Sequence, residues 1–182
     1  MNYYLFGYGS IMSPKSASRG MKKVLHKDDF IHVVLNGYIR TWTAAELLFF
    51  EQTQKESTGV FLNLSEKVDK KTNGVLIPIS EKELEHMKKR EKNYDCVDVT
   101  NKIETSLENI SVFTFITPLE RQAKTGMPNA YIPARYLDIL QDSFDTWGED
   151  FENSYKSTTE DMNFTLMQGP YRFVDAQQQE HV

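Results

Sequence analysis

A single well-capped helix separates two groups of β-patterned segments in this sequence. Ser80 and Glu83 form a capping-box pattern, and Leu84 and Met87 follow at helical spacing, which predicts a helix over about 81–91. A strand, a short helix and three strands precede it, and two strands and then further helices follow it. Strands grouped in this way indicate an α+β fold with mostly antiparallel neighbours. Six strands around one central helix predict a small mixed, mostly antiparallel β-barrel with C-terminal helices.

The β-patterned segments are rich in aromatic and β-branched residues and end at turn-forming residues. Gly37 lies inside one of them and predicts a bulge or a close backbone approach. Asn73-Gly74 predicts a turn between two strands. The predicted strands cover residues 3–7, 30–42, 58–64, 75–79, 94–104 and 110–116, and the other predicted helices run from Pro14 to about Gly20, over residues 133–147, and after Gly148.

The length of 182 residues favours one domain, and we assign it to residues 1–176. The polar tail, residues 177–182, is predicted to be disordered. No apolar run approaches the roughly 20 residues that a membrane helix needs. The N-terminus shows no basic region followed by an apolar stretch, so we expect no signal peptide and a cytosolic chain.

Charge and cysteine content exclude several classes of function. The net charge is −5 and the lysines are dispersed or paired with acids, which argues against a nucleic-acid surface. The single cysteine, Cys96, excludes an internal disulfide, and its strand-like surroundings favour a buried structural thiol over a nucleophile. The four histidines show no ligand spacing, so we expect no metal site.

The first predicted strand stops abruptly at Gly7-Tyr8-Gly9-Ser10. One interpretation is a simple turn, because glycine adopts backbone angles that other residues avoid. The other is a loop whose backbone N–H groups approach an anion or a carbonyl oxygen of a ligand. The motif alone favours the turn.

Glu91 is the second unusual feature. It lies seven positions after Leu84, so it shares the apolar face of the helix with Leu84 and Met87. Desolvation and the negative end of the helix dipole both raise the pKa of a carboxyl group in this position, as a general acid–base group requires. The alternative is a frayed helix end at which Glu91 faces water or pairs with Arg90 or Lys88.

Several segments, in order, resemble the gamma-glutamylcyclotransferase-like superfamily. Phe6–Met12 (FGYGSIM) is similar to its Y-G-S loop and closest to the ChaC-type branch. Leu35–Arg40 (LNGYIR) looks like its second strand. Residues 73–94 resemble its strand–helix unit ending in R-E-x-x-Y, and Tyr131–Tyr136 resembles the start of its C-terminal helix.

The resemblance implies a cofactor-independent enzyme acting on a small γ-glutamyl molecule. The α-amine attacks the γ-carbonyl of its own γ-glutamyl group and releases 5-oxoproline and an amine or peptide, without water, metal or redox cofactor. The resemblance assigns proton transfer to Glu91. Substrate binding falls to a larger set, namely Tyr8, Gly9, Ser10, Ile11, Tyr94 and Tyr136.

Departures from the family pattern leave the substrate open. Ile11 replaces an asparagine of one branch, and Ser13 replaces a tryptophan of the ChaC-type branch. Glutathione, other γ-glutamyl amino acids, γ-glutamyl-lysine amides and a γ-glutamyl-protected metabolite all remain candidates.

A second hypothesis is a non-catalytic member that binds a ligand or protein. A third, a phosphate-binding enzyme, receives little support because the loop lacks both nucleotide-binding glycine spacings.

Overall fold

The structure, a computed structural model, describes residues 2–175, so the predicted disordered tail lies outside the described residues. Within these residues, nine strands and four α-helices follow one another in the order β1, α1, β2, β3, α2, β4–β7, α3, α4, β8 and β9. The strands are β1 (Asn2–Gly7), β2 (Ile31–Phe50), β3 (Lys55–Ile79), β4 (Asp95–Asp98), β5 (Ile103–Glu104), β6 (Ile110–Ile116), β7 (Ala130–Pro133), β8 (Thr165–Met167) and β9 (Tyr171–Phe173). The helices are α1 (Pro14–Met21), α2 (Glu81–Arg90), α3 (Ala134–Trp147) and α4 (Glu149–Ser157).

All nine strands belong to one mixed, mostly antiparallel sheet, which curls into a half-barrel. The main path runs β4-β6-β1-β3-β2-β5, with β7 and β8 beyond β3, and β9 beside β2. The β1–β6, β3–β7 and β7–β8 pairs are parallel, and the other pairs are antiparallel. The predicted α+β fold class is confirmed.

The long β2–β3 hairpin differs from the sequence prediction. The predicted strand over 30–42 continues to Phe50, and the two strands predicted over 58–64 and 75–79 are one continuous strand, β3. Asn73-Gly74 is therefore not a turn. Gly74 is a glycine because a Cβ there would lie 2.5 Å from the carbonyl oxygen of Gly7 in the neighbouring strand.

Two irregularities interrupt the ladder between β2 and β3. The register shifts between Asn36 and Tyr38, where Gly37 has a φ of +77°, and again between Trp42 and Ala44. The bulge predicted at Gly37 is confirmed. Bulges bend a strand and increase its local twist, which suits a sheet that must curl.

The helices follow their sequence signals closely. Ser80 caps α2, accepting a hydrogen bond from the Glu83 N–H, and the Glu83 carboxylate accepts one in return from the Ser80 N–H. Ser13 caps α1 by accepting from the Ser16 N–H. The predicted helices over 133–147 and after Gly148 are present as α3 and α4. Within residues 2–175, no helix has the length and apolar character needed to cross a membrane.

We expect Gly74→Ala to lower the free energy of unfolding by about 2 kcal/mol or more, because the added methyl group meets backbone rather than a movable side chain. Urea unfolding measures the loss. Lys70→Ala, at an exposed position of the same strand, serves as the control and should cost far less. Equal effects of the two substitutions would contradict the close β1–β3 approach.

Candidate active site

A cavity of about 420 Å³ lies among β1, β3, β6, β9 and the first three helices. The loop after β1 forms one part of its wall, the C-terminal end of α2 a second, and α3 a third. Every candidate site residue predicted from the sequence lines this one cavity: Tyr8, Gly9, Ser10, Ile11, Glu91, Tyr94 and Tyr136. The sequence therefore identified residues that are far apart in the chain and that the fold brings together around one cavity.

The loop after β1 leads directly into a short 3₁₀ helix, Ser10–Met12. The N–H groups of Ser10 and Ile11 lie in its first turn, where backbone donors have no partner inside the helix. Gly9 permits a close approach at this point, because a Cβ there would lie only 2.7 Å from the hydroxyl oxygen of Tyr136. The loop thus presents backbone to the cavity and packs tightly against α3.

Tyr8 fixes the loop through its side chain and through its backbone. Its hydroxyl donates a 2.7 Å hydrogen bond to the carbonyl oxygen of Phe115 in β6. Its own carbonyl oxygen accepts a 2.8 Å bond from Nε of Arg40. Burial, together with the negative charge of Glu91, raises the pKa of Tyr8, so the phenol stays protonated and keeps its role as a donor.

Arg40 is fully buried on β2, and the oxygen atoms that accept its hydrogen bonds within residues 2–175 all belong to uncharged groups. Besides the Tyr8 carbonyl, it donates to the side-chain oxygens of Asn73 and Thr158, each at 2.9 Å, and to the Asn73 carbonyl oxygen. Its guanidinium also lies over the Tyr155 ring, 4.7 Å from the centroid. Burial lowers the pKa of Arg40 to about 10, so the group remains cationic at neutral pH.

Glu91 ends α2 as its C-cap residue, with its N–H donating to the Met87 carbonyl oxygen at 2.8 Å. Its side chain is only 16% exposed, and its Oε1 lies 2.7 Å from a guanidinium nitrogen of Arg90. The sequence left open whether Glu91 lies on the inward face of the helix or pairs with a neighbouring cation. Both features are present, because Glu91 lines the cavity and also pairs with Arg90. Lys88 instead pairs with Glu85.

Opposing influences act on the pKa of Glu91. Burial raises it, the neighbouring Arg90 lowers it, and the negative charge of Glu46 raises it again. The net direction is upward from the ordinary value of a glutamate. Arg90 is itself anchored, since it donates to the carbonyl oxygen of Gly20 in α1. A carboxylate with a raised pKa and a fixed orientation is suited to exchange protons near neutral pH.

Two tyrosines complete the predicted site. Tyr94 follows Glu91 closely, and its N–H donates to the Glu91 carbonyl oxygen at 2.9 Å. Burial and the charges of Glu46 and Glu91 raise its pKa strongly. Tyr136, on α3, is nearly buried and packs edge-on against Phe61 and Trp42, with centroid distances of 5.0 and 6.1 Å. Burial also raises the pKa of Tyr136, so both phenols are neutral.

Sequence reasoning missed part of the cavity wall. Tyr171 and Phe173 line it from β9, a three-residue strand that no periodicity could reveal. Arg19 and Arg135 line it from α1 and α3. Their positions were visible in the sequence, but nothing in the helical pattern distinguished them from ordinary exposed arginines.

Comparisons with known proteins identify the fold. No family model and no curated protein matches this sequence. A solved structure described as gamma-glutamyl cyclotransferase shares 12% identity over 92% of this chain and 94% of its own, with a TM-score of 0.60. A human protein described as uncharacterized shares 14% identity over the same fractions, with a TM-score of 0.60. A yeast gamma-glutamyl cyclotransferase described as specific to glutathione shares 12% identity over 87% of this chain and 97% of its own, with a TM-score of 0.51.

The chain therefore has the gamma-glutamylcyclotransferase-like fold, as the sequence motifs implied. The position within the ChaC-type branch stays a prediction that depends on the N-terminal motif. Because identity is this low, the likeness fixes the fold, and the chemistry must be argued from the site itself.

We expect Gly9→Ala to lower the free energy of unfolding by about 1–3 kcal/mol, because the new methyl group overlaps the Tyr136 hydroxyl. In a Tyr136→Phe background the overlapping oxygen is absent, so the same substitution should cost clearly less. Urea unfolding of the four chains gives the coupling as a double-mutant cycle. An equal cost in both backgrounds would contradict the tight Gly9–Tyr136 contact.

Proposed function

We propose that this chain is a γ-glutamylcyclotransferase, which cyclises the γ-glutamyl group of a small molecule to 5-oxoproline and releases an amine or peptide. One observation carries the proposal: Glu91, a mostly buried carboxyl group with a raised pKa, lines the same cavity as the Tyr8–Ile11 loop. The solved gamma-glutamyl cyclotransferases with this fold support the same class of reaction.

Glu91 moves the proton in this proposal. The α-amine of the substrate arrives as an ammonium group, and Glu91 removes one proton to expose the nitrogen lone pair. That nitrogen attacks the γ-carbonyl carbon, and the carbonyl electrons move onto oxygen to give a tetrahedral intermediate. When the intermediate collapses, Glu91 gives this proton to the departing nitrogen and the original amide C–N bond breaks. Glu91 then takes the second proton that the ring nitrogen still carries and passes it to the released amine, which leaves as an ammonium group. The proton balance is zero over the cycle.

The loop stabilises the charge that develops on oxygen. The backbone N–H groups of Ser10 and Ile11 are the donors proposed for the oxyanion, and loss of one such donor typically costs roughly 3 kcal/mol of barrier. Tyr8 holds these donors in place through its bonds to Phe115 and Arg40. The attack is intramolecular, so the cavity mainly has to keep the γ-glutamyl chain bent, with Tyr94 and Tyr136 as neutral walls.

We expect Glu91→Gln to lower 5-oxoproline release by at least about 100-fold, because the amide keeps the shape of the site and loses the proton acceptor. Release is measured from glutathione, γ-glutamyl-alanine and γ-glutamyl-ε-lysine. Glutathione comes first because one structural neighbour is described as specific to it. Glu85→Gln, on the exposed side of the same helix, is the matched control and should retain activity.

Two outcomes would decide against the proposal. Equal activity in the Glu91→Gln and Glu85→Gln chains would remove Glu91 from the reaction. Binding of a γ-glutamyl compound without any 5-oxoproline, in the unmodified chain as well as in Glu91→Gln, would indicate the non-catalytic ligand-binding alternative.

The pH dependence of the reaction tests the role of Glu91 through two substitutions that should shift its pKa in opposite directions. Glu91 acts as a base only when it is deprotonated, so kcat/KM should fall as the pH drops through its pKa. Arg90 lowers that pKa and Glu46 raises it. Arg90→Gln should therefore move the acid limb to higher pH, and Glu46→Gln should move it to lower pH.

The matched control for this profile is Lys88→Gln, since Lys88 pairs with Glu85 rather than Glu91. Its acid limb should stay close to that of the unmodified chain. Shifts of the same sign in the Arg90 and Glu46 variants would show that the acid limb belongs to another group.

A further inference from the structure

The peptide that joins Tyr8 to Gly9 is bonded at one end and free at the other. Its carbonyl oxygen accepts the 2.8 Å hydrogen bond from Nε of Arg40. Its N–H belongs to Gly9, which is buried and lines the cavity, and no atom of residues 2–175 accepts a hydrogen bond from it. A buried N–H without a protein acceptor is costly, which makes it a donor for a group that binds in the cavity.

The bond to Arg40 acts on this N–H through the peptide group. The peptide is trans, so its C=O and N–H point in opposite directions, and the Gly9 N–H points away from Arg40. A hydrogen bond to the carbonyl oxygen polarises the peptide and strengthens the N–H of the same peptide as a donor. The effect is larger when the hydrogen bond comes from a cation.

The positive charge of Arg40 is held against the whole loop. Besides its bond to the Tyr8 carbonyl oxygen, its Nη2 lies 3.8 Å from the Sδ of Met12, the residue at the end of the 3₁₀ helix. Within residues 2–175, Arg40 forms no salt bridge. The side chain is fully buried, so water and salt screen its field much less than that of a surface arginine.

Asn73 satisfies the guanidinium without neutralising it. Its side-chain oxygen accepts a hydrogen bond from Nη1 of Arg40 at 2.9 Å, and its amide nitrogen donates to the Phe151 carbonyl oxygen at 3.2 Å. An aspartate of the same shape would accept the first bond equally well and would form a buried ion pair. The amide keeps Arg40 in place and leaves its positive charge next to the loop.

We propose that Arg40 is a positioning residue of the reaction, which acts through the Tyr8–Gly9 peptide and makes the Gly9 N–H a strengthened donor to the oxyanion of the tetrahedral intermediate. This inference rests on the proposed cyclotransferase function, and it adds Gly9 to Ser10 and Ile11 as oxyanion donors. The negative charge on oxygen develops only after attack. The charge of Arg40 therefore affects kcat and leaves KM nearly unchanged.

Asn73→Asp tests the charge without truncating a side chain. We expect it to lower kcat for 5-oxoproline release by about tenfold, a fraction of the effect of losing an entire oxyanion donor. Asn73→Ala removes the amide but leaves Arg40 cationic and bonded to Tyr8 and Thr158, so it should lose less activity than the aspartate. Asn153→Asp adds the same charge at an exposed position of α4 and should match the unmodified chain.

Two further measurements separate this role from a merely structural one. Urea unfolding should show Asn73→Asp to be at least as stable as Asn73→Ala, because the carboxylate pairs with a buried cation, although it is the less active of the two. The acid limb of the kcat/KM profile should stay in place in Asn73→Asp, since the charges that shift the pKa of Glu91 are those of Arg90 and Glu46.

The outcomes distinguish this role from the reaction itself. Product formed with an unchanged kcat in Asn73→Asp, or with a larger loss in Asn73→Ala, would overturn the role of the Arg40 charge and keep the cyclotransferase. A loss confined to KM would do the same. No product from the unmodified chain would overturn both. Thr158→Asp places a carboxylate at another side-chain acceptor of Arg40 and gives the same test if Asn73→Asp does not fold.

Discussion

The buried guanidinium of Arg40 is the interaction on which the arrangement of the site depends. A charged group removed from water is costly unless its donors are satisfied, and here carbonyl, amide and hydroxyl oxygens accept its hydrogen bonds. Those acceptors belong to the loop after β1, to β3 and to the residue that caps α4. The Arg40 side chain on β2 thus fixes three elements relative to one another. The position of the loop after β1 depends on its hydrogen bond to Arg40.

Glu91 shows the opposite way of keeping a charged residue inside the fold. Arg40 is surrounded by dipoles, which solvate the cation and move little. Glu91 instead has one cation at 2.7 Å, a second acid nearby and an open cavity in front of it. The first arrangement keeps Arg40 protonated at neutral pH, and the second raises the pKa of Glu91, as the proposed proton transfer requires. In the proposed mechanism, Arg40 therefore supports the site and Glu91 transfers the proton.

Local signals in the sequence were sufficient wherever one residue determined the geometry. The Ser80 capping box gave the start of α2, and Gly37 gave the bulge in β2. Asn73-Gly74 was misread because the local preference for a turn was overridden by pairing on both sides: β3 lies between β2 and β1 there, and the glycine serves the contact with Gly7. The turn preference of a dipeptide carries no information about its neighbours in the sheet.

The candidate site was more predictable than the sheet that builds it. Glycine spacing and a carboxylate on an apolar face drew attention to its loop and its glutamate, and the resemblance to the family motifs then made both of them site candidates. In contrast, β7, β8 and β9 contain only three or four residues each. β7 pairs with β3, β9 pairs with β2, and β8 pairs with β7, and these partners are not evident from such short segments. Tyr171 could be assigned to the cavity only after β9 was seen beside the hairpin.

Curvature of the hairpin has a consequence for the size of the ligand. Tyr171 is opposite Phe50, which pairs with Lys55, whereas Phe6 pairs with Leu76. Lys55 and Leu76 are 21 residues apart along β3, which would be about 70 Å on a flat strand. Phe6 and Tyr171 nevertheless line one cavity of about 420 Å³. The curl of the sheet, to which the two bulges in β2 contribute, therefore brings residues far apart along β3 to the same cavity and limits the length of a ligand that the cavity can enclose.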